Sequence, residues 1–173
     1  MIVAAKTHTE VYRFRPWLIP AAVALAVYLQ TTLPRYLGFH PLLALFDLAL
    51  LVVVYFGISR RNPSTGLLLG LAVGVIQDVL SFQYIGLYGM AKTLVGFVAS
   101  SLSGRIDTDR PHSRLILVFL FYYLHQFTYA LVQRLLLAEA ADFFSLRVLE
   151  GALVNALAGV LVFLLLDRFR QST

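Results

Sequence analysis

Asp47, Asp78, Lys92, Arg134 and Glu150 stand inside stretches of the chain that are otherwise apolar. A charge at the centre of a hydrocarbon layer costs about 3 kcal/mol on insertion scales, and less near its edge. Five such groups call for partners or for a polar cavity. One arrangement would be catalytic, with Asp47 and Asp78 sharing a proton as an aspartate dyad. Neither residue has a supporting motif, and the apolar stretches hold no G-x-S-x-G or paired-aspartate motif. No catalytic residue and no enzyme activity are expected. A second arrangement is pairing, of Asp78 with Lys92 and of Arg134 with Glu150. Such pairs either fix helix register or serve a partner or ligand. His125 and Gln126 lie mid-stretch, whereas His8, His40 and His112 lie at or beyond the stretch boundaries, which argues against a metal centre. The chain has no cysteine. That excludes disulfides, thiolate zinc sites and a cysteine nucleophile. No cofactor is expected.

The elements that must position these residues are apolar runs at 17–33, 42–58, 64–80, 86–103, 115–138 and 146–166. A helix rises about 1.5 Å per residue and needs about 20 residues to cross a hydrocarbon core roughly 30 Å thick. The runs lack the polar stripe of a soluble amphipathic helix. Hydrophobic residues make up 60% of the chain and charged ones 13%, against about half and a quarter in soluble domains. The expected fold is therefore all-α, a single integral membrane domain over residues 1–173 with six transmembrane helices and little mass outside the bilayer. Lys6, Arg13 and Arg15 precede the first run as they would in a signal peptide. That run is too long and lacks a small-x-small cleavage site, so a retained first span is expected.

The net charge of +5 follows the same plan. Lys6, Arg13, Arg15, Arg60, Arg61, Arg105, Arg110, Arg114, Arg168 and Arg170 fall at run ends on one side. Arg35, Arg134 and Arg147 fall on the other, and Lys92 lies within a run. Positive residues gather on the cytoplasmic side, so both termini are expected there. The charge has this explanation without nucleic acid. Tyr12, Phe14, Trp17 and Phe169 lie near the inner boundary, and Tyr36, Phe39, Phe82, Tyr84, Tyr88, Phe143 and Phe144 near the outer one, as an aromatic belt at each interface. The segment from Glu139 to Ser145 suits a short helix lying flat in the outer interface. All six prolines sit at run edges or in connections, so no broken helix of the kind that marks ion-coupled transporters is expected.

Small residues recur at four-residue spacing. Gly66, Gly70, Gly74 and Asp78 form one row, Lys92, Gly96, Ser100 and Gly104 a second, and Gly151, Asn155 and Gly159 a third. Residues four apart share a helix face, and small ones let membrane helices approach closely. Either these rows pack the chain against itself or one of them faces a partner's transmembrane helix. The third and fourth runs are joined around Ser81–Ile85 as a tight antiparallel hairpin.

The stretch GLLLGLAVGVIQDVLSFQYIGLYGMAKTLVGFVASSLSGRI, Gly66 to Ile106, resembles the central hairpin of the MreD family of rod-shape-determining membrane proteins. Glycines at four-residue spacing are followed by an aspartate, an aromatic-containing turn and a glycine-led span, and Gly70, Gly74, Asp78, Gly86 and Gly96 match that pattern. The resemblance implies a non-enzymatic multi-pass subunit of the bacterial cytoplasmic membrane. It would bind the single-span scaffold MreC and support lateral peptidoglycan synthesis. The RodA-type glycosyltransferase and its transpeptidase, and indirectly the MreB filament, are implied as further partners. The family is also similar to the six-helix substrate-binding subunits of energy-coupling-factor vitamin transporters, which leaves a vitamin-binding subunit as the alternative reading. On this basis Gly66, Gly70, Gly74, Asp78, Gly86, Lys92, Gly96 and Ser100 are candidates for partner binding or helix packing. Asp47, Asp78, Lys92, Arg134 and Glu150 are candidates for a polar cluster in the outer leaflet.

Overall fold

A computed structural model describes residues 15, 17–36, 45–82, 84–104, 110–138, 143 and 145–169, which form six α-helices. These are α1 (Leu18–Tyr36), α2 (Leu48–Arg60), α3 (Pro63–Leu80), α4 (Leu87–Leu102), α5 (Pro111–Leu137) and α6 (Leu146–Asp167). Helices α3, α5 and α6 are long and apolar enough to cross a membrane, while α2, α4 and the Leu18–Thr32 part of α1 are shorter apolar segments. Most of the segment Glu139 to Ser145 lies outside the described residues, as do Tyr12, Phe14, Phe39 and Phe144 of the expected aromatic belts.

Local chemistry sets the helix ends. Asn62 accepts from the N–H groups of Ser64 and Thr65, and Pro63 follows at the first helical position, where its missing N–H costs nothing. The Ser145 side chain accepts from the Val148 N–H to start α6. Helix α5 begins at Pro111, ahead of the expected Leu115, and α1 runs on through Pro34 to Tyr36. The largest departure is in the second run. Helix α2 starts at Leu48 rather than Leu42, because Asp47 is its N-cap and accepts from the Leu50 N–H at 2.8 Å. Leu45 to Asp47 are not α-helical. The 13-residue α2 is about 20 Å long, shorter than a bilayer core.

Helix α2 is the centre of the bundle and packs against each of the other five helices. Every residue from Ala49 to Ser59 is buried. Leu50, Leu51, Val54, Tyr55 and Phe56 face Val95 and Ala99 of α4, Leu117 and Phe121 of α5, and Ala152 and Phe163 of α6. On the opposite side Ala49 and Val53 meet Val27 of α1 and Val73 of α3. A helix apolar all round is stable only when surrounded. In lipid the hydrophobic effect does not drive this association, because acyl chains are as apolar as leucine; close packing and interhelical hydrogen bonds must do so.

Candidate functional site

The interior holds a charge cluster built from α4, α5 and the entry to α2. Lys92 of α4 is fully buried. Its Nζ donates to Asp47 Oδ2 at 2.6 Å and lies 3.2 Å from His125 Nε2 of α5. An ammonium has only hydrogens to give, so Nε2 is the acceptor and the ring hydrogen sits on Nδ1. Nδ1 is buried and has no hydrogen-bond partner among the described residues. The Tyr88 ring stacks on His125 at 5.9 Å, and Lys92 Nζ lies 5.1 Å from its centroid. Tyr88 therefore belongs to the cluster and not to an outer aromatic belt.

The backbone leading into α2 is held by two carboxamides. Gln30 of α1 donates to the Phe46 carbonyl at 2.6 Å and accepts from the Leu48 N–H at 2.7 Å. Asn155 of α6 accepts from the Asp47 N–H at 2.8 Å and donates to the Leu45 carbonyl at 2.7 Å. Non-helical backbone at membrane depth survives only when buried groups of the protein satisfy it. Gln30 and Asn155 do this, and so they aim the Asp47 carboxylate at Lys92. Of the expected 42–58 span, the described residues are α-helical only from Leu48, because Asp47 bonds the backbone three residues on and caps the helix there.

The expected Asp78–Lys92 pair is not formed. Asp78 is fully buried and accepts from the N–H groups of Gly86, Tyr88 and Gly89 at 2.9, 3.0 and 3.0 Å. These amides, at the N-cap and in the first turn of α4, have no intrahelical carbonyl to bond. A carboxylate at the end of α3 thus caps the next helix and complements the positive end of its dipole. The turn between them requires glycine at position 86, where φ is +107°. With Asp78 committed to α4 and Asp47 to Lys92, the two aspartates form no dyad. Arg134 and Glu150 form no ion pair with each other, and both side chains are exposed. Arg134 sits in the last turn of α5 and Glu150 near the start of α6.

The first glycine row is filled by the chain's own fourth helix. A Cβ on Gly66 would collide with the Gly96 carbonyl and with Ser100, one on Gly70 with the Lys92 carbonyl, and one on Gly74 with the Tyr88 carbonyl. A Cβ on Gly96 would meet the Gly66 carbonyl in return. Ser100 turns its hydroxyl back onto the Gly96 carbonyl at 2.7 Å, which removes a polar group from the contact. In the third row, Gly151 makes room for the Tyr122 ring.

A second charged group, not foreseen among the candidate residues, lies at the opposite end of α2. Arg114 Nη1 of α5 meets Asp167 Oδ2 of α6 at 2.6 Å, and Tyr55 of α2 donates to Asp167 Oδ1 at 2.9 Å. Arg114 is buried, although its place at a run end suggested a free flanking charge. The signal in the sequence was Asp167, an acid within an end otherwise marked by arginines.

Fold and site together define an α-helical membrane protein whose buried charges Asp47, Lys92, Arg114 and Asp167 pair across its own helices. The chain belongs to the MreD family: the family's model, described as rod shape-determining protein MreD, matches residues 12–171. It is thus a cell-shape protein of the membrane. No curated protein and no solved structure matches it.

Proposed function

We propose that this protein is a non-enzymatic subunit of the bacterial elongation machinery, crossing the cytoplasmic membrane six times with both termini in the cytoplasm. It binds the single-span scaffold MreC and supports lateral peptidoglycan synthesis near the RodA-type glycosyltransferase and its transpeptidase, with MreB linked indirectly. The match of residues 12–171 to the MreD family carries this reading. The apolar residues 42–46 ahead of the short α2 and the ten-to-three division of flanking positive charge support a six-span topology. The committed partners of Asp47, Asp78 and Lys92 favour a binding role over chemistry.

The test is a pull-down of the full chain from native membranes in mild detergent. Recovery of a single-span protein with an external domain is the expected result, and loss of the protein should round rod-shaped cells. Saturable binding of a vitamin to the purified protein, with no single-span partner recovered, would replace this reading with that of a transporter's substrate-binding subunit.

A further inference from the structure

Beside their glycine contact, α3 and α4 line an open groove. Leu67 and Leu71 of α3 and Met90, Thr93, Leu94 and Phe97 of α4 enclose about 380 Å³, within the roughly 300–1,000 Å³ of ligand clefts. The Thr93 hydroxyl donates to the Gly89 carbonyl at 2.6 Å, so no side chain offers the groove a free polar group. Membrane helices dock on one another through small or polar residues. This lining has neither. The close-approach glycines are already filled from within: Gly66, Gly70 and Gly74 by α4, Gly151 by Tyr122 and Gly159 by Val118. Leucine, methionine and phenylalanine suit a flexible hydrocarbon chain better than a helix.

One end of the groove is charged. Helix α3 begins at Pro63, directly after Arg60, Arg61 and Asn62, and reaches the groove one turn later at Leu67. Gly57 of α2 abuts Ala99 of α4, which brings Arg60, three residues on, beside the end of α4. Ser64, Thr65 and Ser101 are exposed there and mark where the apolar surface stops. Arg60 makes no ion pair among the described residues, and its Nε is buried without a hydrogen-bond partner. The chain's excess positive charge lies on this side of the membrane. Its ten flanking basic residues face four acids, Glu10, Asp107, Asp109 and Asp167. On the other side three face Asp78, Glu139, Asp142 and Glu150, while Asp47 cancels Lys92. We propose that the α3–α4 groove holds one acyl chain of an anionic phospholipid, with its phosphate against Arg60 and Arg61 at the charged end. Charge complementarity selects the headgroup, and the bulky apolar lining selects a chain over a helix. The cytoplasmic leaflet follows from the orientation proposed above; the class of lipid does not depend on it.

The test reads lipid contact at single tryptophans in the full chain, reconstituted in phosphatidylcholine vesicles that contain brominated phosphatidylglycerol. Bromine on an acyl chain quenches a tryptophan that it touches. The one native tryptophan is removed by Trp17→Phe. Phe97→Trp then reports on the groove, and Leu161→Trp on the exposed side of α6. The groove tryptophan should be quenched as though the anionic lipid were enriched about fivefold, the effect of one arginine near an anionic surface. The α6 tryptophan should follow the bulk composition. Arg60→Gln with Arg61→Gln, checked for an unchanged elution profile, should abolish the enrichment. Salt at about 1 M should reduce it in the chain that keeps both arginines, which serves if the double variant fails to fold. Equal enrichment at the two positions, no quenching at all in the groove, or an enrichment that survives both neutralisation and salt overturns the proposal. An external reporter at Thr173 would refute the orientation, and with it only the choice of leaflet.

Discussion

Lys92 is held by a carboxylate from the α2 entry and an imidazole from α5, so its loss strands a buried charge. Lys92→Met should destabilise the protein by about 3–5 kcal/mol, because Asp47 then keeps a buried charge without its partner. Adding Asp47→Asn should recover most of that loss, since asparagine still caps α2 and carries no charge. Thermal unfolding in detergent of the two single variants and the double compares them. If the double variant were as unstable as the sum of the singles, the pair would not be coupled. The charged residues were visible in the sequence as interruptions of apolar runs. Their pairing was not, because it depends on how each helix is rotated about its axis and where it starts. Asp47 looked like a charge within the outer half of a span; the reading that fits the structure, an acid just ahead of an apolar run acting as a helix cap, uses the same residues.

The α3–α4 hairpin depends on backbone meeting backbone. Gly70→Leu would drive a branched side chain into the Lys92 carbonyl, and a sharp fall in folded yield by size-exclusion chromatography is expected. Gly104 has open space around its missing Cβ, so Gly104→Ala should leave the yield unchanged and serves as the control. Gly86→Ala imposes a side chain at φ +107° and should cost on the order of 1–3 kcal/mol, measured by the same unfolding assay. At this scale the sequence was informative. Four-residue spacing of glycines identifies a close-packed face, and the short connection around Ser81–Ile85 identifies which helix fills it. Helix lengths were less legible. Leu42 to Phe46 are as apolar as the helix that follows, so hydropathy cannot mark the point where regular hydrogen bonding begins.

The whole molecule is a bundle wrapped around one short, fully enclosed helix, and its orientation is a statement about charge. Reporter fusions at Thr173 and within the connection at Asp109 should both read cytoplasmic, and one at Ala141 external; an external carboxy terminus would contradict the charge assignment. All-helical membrane architecture was evident from composition alone, whereas the central position of α2 follows from contacts among helices that no local pattern records. The carboxamide of Asn155 has a consequence for biosynthesis. Leu45 and Asp47 enter the bilayer more than a hundred residues before the side chain that satisfies them emerges. During synthesis the start of α2 therefore remains incompletely bonded in a medium with no water to substitute. The chain becomes resistant to membrane quality-control proteases only when its final helix has been released and docked, so stop codons placed before Leu146 should yield short-lived products even though five helices are present.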